Sequence, residues 1–520
     1  MRNASSFLKE IVLSVGLLKF IGKSCLQLLC YLFYFTQPIL IQAVLAAGTM
    51  RDSFLALAAL AGSLLMPSVI DLTNNGTMQE FRCYSKGLVF EQLLQQSYSY
   101  YPERSSSEIQ SYLNEISFAC RNLEDRYVHT VLRMTAMGLL YVISLWLQDA
   151  VLGAAYALFF VIYIIISAAL SSRGRKGVGE SLASTARVNS GISDSVANVS
   201  TVYSLGAQEY EASRTWSTLN LEAAQYRSVQ ARSNGVALIQ EAMVIGFAAI
   251  LLLLAMEQRA SMATTFLTLL YSVLNLTGFG SQYLLICEFS DRLNAALEAL
   301  ELSCRRVERL DVRYDQQGEN LELKEISYSY PHGERHLLCE KSVTFKKGAI
   351  TAIVGPNGSG KSTLLRVIAG LLSPNSGYML VPYGDKCKVT LIGQGVTLFN
   401  RSLAENIFYP SSSGDVDRAM ELLKEIGLDS VVASRQQLYE LKPGDLADKV
   451  SGGELQKIQI LRAILYKPDI LLCDEITSGL DVESVKLFYE MLQRYLPEAT
   501  VICVVHRKNE LKYFDSVVTM

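Results

Sequence analysis

Hydrophobic and polar positions follow two different rhythms along this chain. From the start to about residue 305, apolar residues gather in six long runs, near 24–48, 53–72, 130–148, 151–172, 236–256 and 262–287. Each is long enough to cross a bilayer as a helix, which takes roughly 20 residues. A single run is compatible with a buried helix in a soluble domain; six in succession predict a membrane bundle. Only Gln148-Asp149-Ala150 separates the third run from the fourth, which predicts a tight helical hairpin. From about residue 320 the runs shorten. AITAIV (349–354), KVTLI (388–392), DILLC (469–473) and TVICVV (500–505) read as buried strands, with helical stretches between them. That alternation predicts an α/β fold with a central, largely parallel sheet. Residues 1–310 are thus expected to form an all-α, six-helix membrane domain and residues 320–520 an α/β domain, with the polar stretch RRVERLDVRYDQQG (305–318) as the boundary.

Basic residues orient the runs. The segments after the second and fourth hold Arg82, Lys86, Arg104, Arg121, Arg126, Arg173, Arg175, Lys176, Arg187, Arg214, Arg227 and Arg232, whereas the opposite loops hold Arg51 and Arg259. Positive charge stays inside, so both termini and the two long connections are expected to be cytoplasmic. Those connections, roughly 55 to 65 residues each, are too long for ordinary loops. No proline occurs between Pro102 and Pro331. As helical hairpins the connections would reach roughly 40 Å into the cytoplasm, turning near YYPERSSSEI (100–109) and SLGAQEYE (204–211). Asp71, Glu241, Glu288 and Asp291 fall near the inner edge of the predicted bilayer, and Gln42, Trp146, Tyr271 and Asn275 near its middle. A hydrophobic or amphipathic cargo, whether lipid, peptide or drug-like molecule, suits that lining.

Composition adds exclusions. Half the residues are hydrophobic, 19% are charged and the net charge is −3, which gives no reason to expect nucleic acid. Ten scattered cysteines contain no C-x-x-C pair and read as small packing residues. No cleavable signal peptide is evident, because the first apolar run extends far beyond an h-region.

The chemistry is concentrated in the second half. GPNGSGKS (355–362) follows the AITAIV strand and runs into STLLRVIAGLL (362–372), a helical stretch whose Thr363 is also expected at the nucleotide. In that context, Gly355, Pro356, Asn357, Gly358, Ser359 and Gly360 form a loop whose backbone N–H groups turn toward phosphate oxygens. Lys361 is expected to reach the β- and γ-phosphates of ATP, and the Ser362 hydroxyl to ligate Mg²⁺. DILLCDE (469–475) is a strand ending in two carboxylates, with Asp474 suited to the Mg²⁺ shell and Glu475 to the attacking water. Of four histidines, His506 follows the TVICVV strand, where α/β sheets bind ligands, and suits the γ-phosphate. His129, His332 and His336 read as ordinary surface or packing residues. VSGGE (450–454) precedes another helix and looks like a second anion cradle.

GPNGSGKS, Gln394 in LIGQ, VSGGE, ILLCDE, SGLD (478–481) and His506 occur in that order over roughly 200 residues. In this the chain resembles the nucleotide-binding domain of an ABC transporter. The membrane half resembles the six-span exporter class, YYPERSSSEI and ISDSVANVSTVYSLGAQEYE looking like its two intracellular loops. The resemblance implies that Tyr330 stacks on adenine, that Gln394 links Mg²⁺ and the attacking water to the membrane domain, and that Asp481 communicates between ATP sites. It also implies that Ser451, Gly452 and Gly453 cap the γ-phosphate held by another copy, so that the chain works as a homodimer or with a related half-transporter. A bacterial inner membrane is the expected location. An importer or flippase on the same scaffold, and more remotely a non-transporting ABC ATPase, are the rival readings; six spans argue against the last. The sequence departs from the family at Val450 and Glu454, where leucine and glutamine are usual, and at Ser107, where glycine is. It is also expected to lack most of a short C-terminal extension.

Overall fold

The structure is a computed structural model, and it describes the chain except residues 1–3, 47–48, 103, 175–176, 258–261, 277, 302–310, 316, 331–335, 394, 396–397, 412 and 443–450. Two compact units result: Met1–Gln96 with Tyr100–Arg305, and Ser97–Ser99 with Arg306–Met520.

The first unit is helical. In chain order it contains α1 (Ala4–Val15), α2 (Leu17–Tyr34), α3 (Gln37–Ala46), α4 (Met50–Leu94), α5 (Ser106–Arg126), α6 (Arg133–Gln148), α7 (Ala150–Gly174), α8 (Val178–Ala197), α9 (Val199–Ser204), α10 (Gln208–Glu257), α11 (Met262–Leu276) and α12 (Phe279–Ala299). Among the described residues, six helical stretches are long and apolar enough to cross a membrane: Leu17–Val44, Met50–Leu94, Ser106–Gln148, Ala150–Ser171, Gln208–Met256 and Thr265–Ala299. The first is broken at Phe35-Thr36, just before Pro38. A proline has no N–H to donate and is tolerated in the first turn of a new helix. Helix carries on from the spans into the long connections, α4 running 45 residues and α10 running 50, while the second connection is interrupted at Asn198, between α8 and α9. The first reversal comes earlier than the sequence suggests. Ser105 caps α5, its Oγ accepting from the Glu108 N–H at 3.1 Å, so the end of the expected turn, from Ser106 on, is already helix. The second reversal is at Gly206, whose φ of +63° suits glycine.

Two groups of polar side chains pair across the bundle, as a low-dielectric medium favours. Lys23 of α2 pairs with the buried Glu124 of α5 and donates to Asn74 Oδ1 of α4 at 2.7 Å. Between α5 and α6 the helix widens to a π-turn over Tyr127–Leu132. His129 sits in it, contrary to its reading as an ordinary surface or packing residue. Its Nδ1 lies 3.0 Å from the Tyr31 hydroxyl, and its Nε2 lies 3.3 Å from Asp71 and 3.6 Å from Asp125. One imidazole thus ties three spans together.

The second unit holds nine described strands: β1 (Asp311–Tyr314), β2 (Asn320–Ser329), β3 (His336–Lys346), β4 (Ile350–Val354), β5 (Ser376–Val381), β6 (Val389–Ile392), β7 (Ile470–Asp474), β8 (Thr500–Val504) and β9 (Ser516–Thr519). Its helices are α13 (Lys361–Ile368), α14 (Leu403–Ile407), α15 (Val416–Glu425), α16 (Arg435–Glu440), α17 (Gly452–Tyr466) and α18 (Val482–Tyr495). The sheet β6-β7-β8-β4-β9 is parallel throughout, and every residue of β7 and β8 is buried. A parallel strand covered on both faces has no polar side, hence the unbroken apolar runs. The second sheet, β1-β5-β2-β3, is mostly antiparallel and was not legible as such. The stretch read as a polar link contributes β1, which pairs in parallel with β5.

Candidate active site

Strand order builds the site. β7, β8 and β4 are neighbours and parallel, so their carboxyl ends lie side by side. β4 runs into the loop 355–360, β7 ends at Asp474, and His506 follows β8. In open α/β sheets this edge is where ligands bind.

The loop wraps the amino end of α13. Gly360 caps the helix at φ +93°, and a Cβ there would approach the Leu337 carbonyl to 3.1 Å, so this position requires glycine on two counts. At Gly355 a Cβ would sit 2.7 Å from the Met520 carbonyl oxygen. Lys361 is only 6% exposed, and its Nζ donates to the carbonyls of Gly355 and Pro356 at 3.0 and 2.9 Å. The ammonium therefore rests on its own loop. Ser359 Oγ is buried with no hydrogen-bond partner, an orphan of the kind a phosphate oxygen satisfies.

A cleft of about 530 Å³ joins Asn357, Gly358, Gly360, Lys361, Ser362 and Thr363 with Leu337, Glu475 and His506. On its floor the Ser362 hydroxyl donates to Asp474 Oδ1 at 2.9 Å. Burial pushes the Asp474 carboxyl above its usual range, while the Ser362 bond pulls it down. A hydroxyl and a carboxylate are hard oxygen donors, and two protein ligands suit Mg²⁺, which keeps much of its own water. Among the described residues no cluster of three or more His, Cys, Asp or Glu could hold a metal. The Ser362–Asp474 pair fits the ion by the chemistry of its donors. Glu475 has φ +55°, a costly backbone for a residue with a Cβ, held by the strand that precedes it. Its Oε1 lies 2.5 Å from His506 Nε2.

The other predicted residues lie apart from the cleft. Tyr330 is partly exposed at the end of β2, edge-on to Tyr328 with ring centroids 5.1 Å apart. Its hydroxyl accepts from Arg366 of α13 at 3.5 Å, which keeps it beside the loop helix. Ser451 caps α17, and the glycines Gly452 and Gly453 open it. A Cβ at Gly453 would approach the Gly479 carbonyl to 3.0 Å, so the glycine seats α17 against the SGLD loop. Asp481 caps α18, accepting from Ser484 N–H at 2.8 Å, which holds its carboxyl below the usual range. Gln394 and Val450 lie outside the described residues.

Three residues around the site, Arg507, Glu510 and Gln459, carry no signal in the sequence. Arg507, next to His506, donates to the carbonyls of Ser478 and Leu480 at 3.1 and 3.4 Å. The buried Glu510 accepts from Thr477 at 2.9 Å and Tyr489 at 3.2 Å. Gln459 of α17 donates to the Gly395 carbonyl at 3.3 Å. The Arg507 and Glu510 bonds fasten the loops after β7 and β8 to each other, and the Gln459 bond ties the loop after β6 to α17. No local pattern announces them, since each pairs residues far apart in sequence.

A family model described as ABC transporter transmembrane region matches residues 20–280, half of the chain. The chain belongs to the ABC transporter family. A second model of the family, described as ABC transporter, matches residues 338–478, which makes the second unit an ATP-binding domain. With its spans, the family places it among integral, multi-pass membrane proteins. The structure of a bacterial Atm1-family ABC exporter with ATP bound superposes with a TM-score of 0.81 at 19% identity, covering 99% of this chain and 93% of that one, which establishes a shared exporter fold. An ATP-dependent lipid A-core flippase of Xylella fastidiosa is 34% identical over 210 residues, 38% of this chain and 36% of the flippase. ABC transporter B family member 13 of Arabidopsis thaliana is 32% identical over 209 residues, 38% of this chain and 17% of that protein. The chain thus covers well under two thirds of these relatives' length.

Proposed function

We propose that this chain is one half of an ATP-driven exporter. The observation that carries this reading is the convergence of the Lys361 loop, the Ser362–Asp474 pair and the Glu475–His506 pair on one sheet edge, in a chain with six membrane-spanning helices. Lys361 swings from its loop carbonyls to the β- and γ-phosphates, and the loop N–H groups and α13 receive the remaining oxygens. Tyr330 stacks on the adenine. Glu475 accepts a proton from the attacking water, and His506 holds Glu475 and meets the γ-phosphate. The charge neutralisation that phosphoryl transfer requires is what a Mg²⁺ held by Ser362 and Asp474, with Gln394, supplies when bound. Asp474→Asn is therefore expected to raise the Mg²⁺ concentration for half-maximal hydrolysis about tenfold or more, read from a Mg²⁺ titration of ATPase activity.

One P-loop and one VSGGE per chain imply that two copies assemble, a homodimer in this reading, each copy's Ser451, Gly452 and Gly453 closing on the ATP of the other. Asp481 lies beside that interface and couples the two sites. Closure and release drive the spans between inward-open and outward-open states, the tips near 100–109 and 204–211 carrying the motion. Both termini are cytoplasmic, and the bacterial inner membrane is the proposed location. The cargo is amphipathic. A cavity of about 210 Å³ in the membrane unit sets Phe279 and Met134 beside Arg126, Arg133, Asn275 and Gln282. Among the described residues neither arginine forms an ion pair, Arg126 donating instead to Gln282 and Arg133 to Asn275 at 3.0 Å. An acidic headgroup would compensate them.

The likeness to a lipid flippase favours a second reading, in which the cargo is a lipid moved between leaflets. Inside-out vesicles test both. The expected result is ATP-dependent accumulation of a labelled acidic amphiphile in the lumen for export, or its ATP-dependent loss from the outer leaflet for flipping. ATP-driven efflux from preloaded inside-out vesicles would contradict both.

A further inference from the structure

Among the described residues of VSGGE, Glu454 is the one that the proposed function leaves without a task. The structure gives it a definite set of bonds. Its Oε2 accepts from the Ser451 N–H at 2.7 Å and from the Ser451 hydroxyl at 2.8 Å, and its own N–H donates back to Ser451 Oγ at 3.3 Å. This is a complete capping box at the amino end of α17, a 15-residue helix. Ser402 and Glu405 make the same box at α14, with 3.1, 2.9 and 3.2 Å for the corresponding bonds. As a helix start the arrangement is ordinary. Its place is not. The same Ser451 hydroxyl is the donor that the γ-phosphate of the facing copy would use, and a carboxylate already holds it.

We propose that Glu454 acts as a built-in competitor for that phosphate, so that closure over ATP is gated by the release of Ser451 from its own capping box. The inference rests on the reading that VSGGE faces the nucleotide of a second copy. Two effects oppose closure. The Ser451 hydroxyl must leave Glu454 Oε2 before it can donate to phosphate, and the N–H of Ser451 is engaged by the same oxygen. A carboxylate in the first turn also cancels part of the positive field with which the helix end attracts an anion. The hydrogen bonds from Ser451 keep the Glu454 carboxyl below its usual range, so it stays charged at neutral pH. Gly452 does not obstruct the approach, since even an added Cβ would meet nothing within 4 Å. What limits closure is charge and a pre-engaged donor rather than space.

Glu454 is a positioning residue, acting on phosphate through Ser451. Glutamine at this position keeps the capping geometry, because its amide oxygen still accepts from Ser451, but it removes the charge. Glu454→Gln is therefore expected to lower the KM for ATP about fivefold, a size set by a single charge at a helix end. The kcat should change less than the KM, and the melting temperature should hold. The ATP concentration for half-maximal closure, followed by fluorescence transfer between labelled nucleotide-binding units in reconstituted full-length protein, should fall by the same factor. Glu405→Gln removes the matching charge from the other box and should leave the KM unmoved. An unchanged KM in Glu454→Gln, or an equal fall in Glu405→Gln, overturns the proposal. Ser451→Arg separates this failure from that of the reading beneath it. If Ser451→Arg hydrolyses ATP like the wild type, VSGGE does not face a nucleotide at all. If Ser451→Arg is inactive and Glu454→Gln shows the wild-type KM, only the competitor role falls.

Discussion

Replacing Glu475 with glutamine is expected to reduce ATP turnover by about two to four orders of magnitude while leaving ATP bound. The substitution keeps the shape of the side chain and a hydrogen-bonding partner for His506, which lies 2.5 Å from the carboxylate. In the proposed mechanism, what it removes is the capacity to accept a proton from the attacking water. The costly backbone at φ +55° is enforced by β7 and the turn after it, so the amide occupies the same place. Lys361, Ser362 and Asp474 are untouched, and binding should persist. Single-turnover hydrolysis together with retention of labelled ATP on a filter separates the two effects. A Glu475→Gln protein that hydrolyses within a few-fold of wild type would show that the water is activated elsewhere.

Ser451→Arg is expected to abolish steady-state hydrolysis with little change in ATP binding to the P-loop of a separated monomer. Ser451 is exposed, and the helix it caps begins with two glycines that keep the surface low. A guanidinium there fills the space the facing nucleotide would occupy. Loss of the cap costs about 1 kcal/mol, too little to unfold a unit with a buried parallel sheet. A melting curve close to wild type would therefore accompany the loss of activity. Hydrolysis at the wild-type rate would place the stretch away from any nucleotide.

The sequence conveys these elements unevenly, and the reason is physical. The GPNGSGKS loop, the DE pair after ILLC and the histidine after TVICVV are contiguous signals, each tied to a strand whose burial on both faces makes it an unbroken apolar run. The six spans are legible because a bilayer demands length as well as apolarity. The antiparallel β2 and β3 were missed, since their alternation is interrupted by register shifts between Leu323, Ile326, Tyr328 and Ser329. Strand β1 hid in a polar stretch because Asp311, Arg313 and Tyr314 are exposed, and only its pairing with β5 makes it a strand. His129 looked idle because its partners, Tyr31, Asp71 and Asp125, come from three different helices. Glu454 looked merely odd until its bonds to Ser451 were seen, although S-x-x-E is a helix-start signal in its own right.

The central claim is that each ATP is held between two copies, by the P-loop of one and VSGGE of the other. Mixing two inactive variants tests it most directly. In the proposed assembly, Lys361→Ala disables the P-loop of its own chain, and Ser451→Arg disables the cap it would offer its neighbour. In a mixed pair, the intact P-loop of the Ser451→Arg copy faces the intact VSGGE of the Lys361→Ala copy, and one complete site is restored. Differently tagged variants, co-reconstituted and purified through both tags, are predicted to hydrolyse ATP well above either parent alone. If doubly tagged pairs are recovered and remain as inactive as the parents, the site is completed within a single chain and the account is wrong.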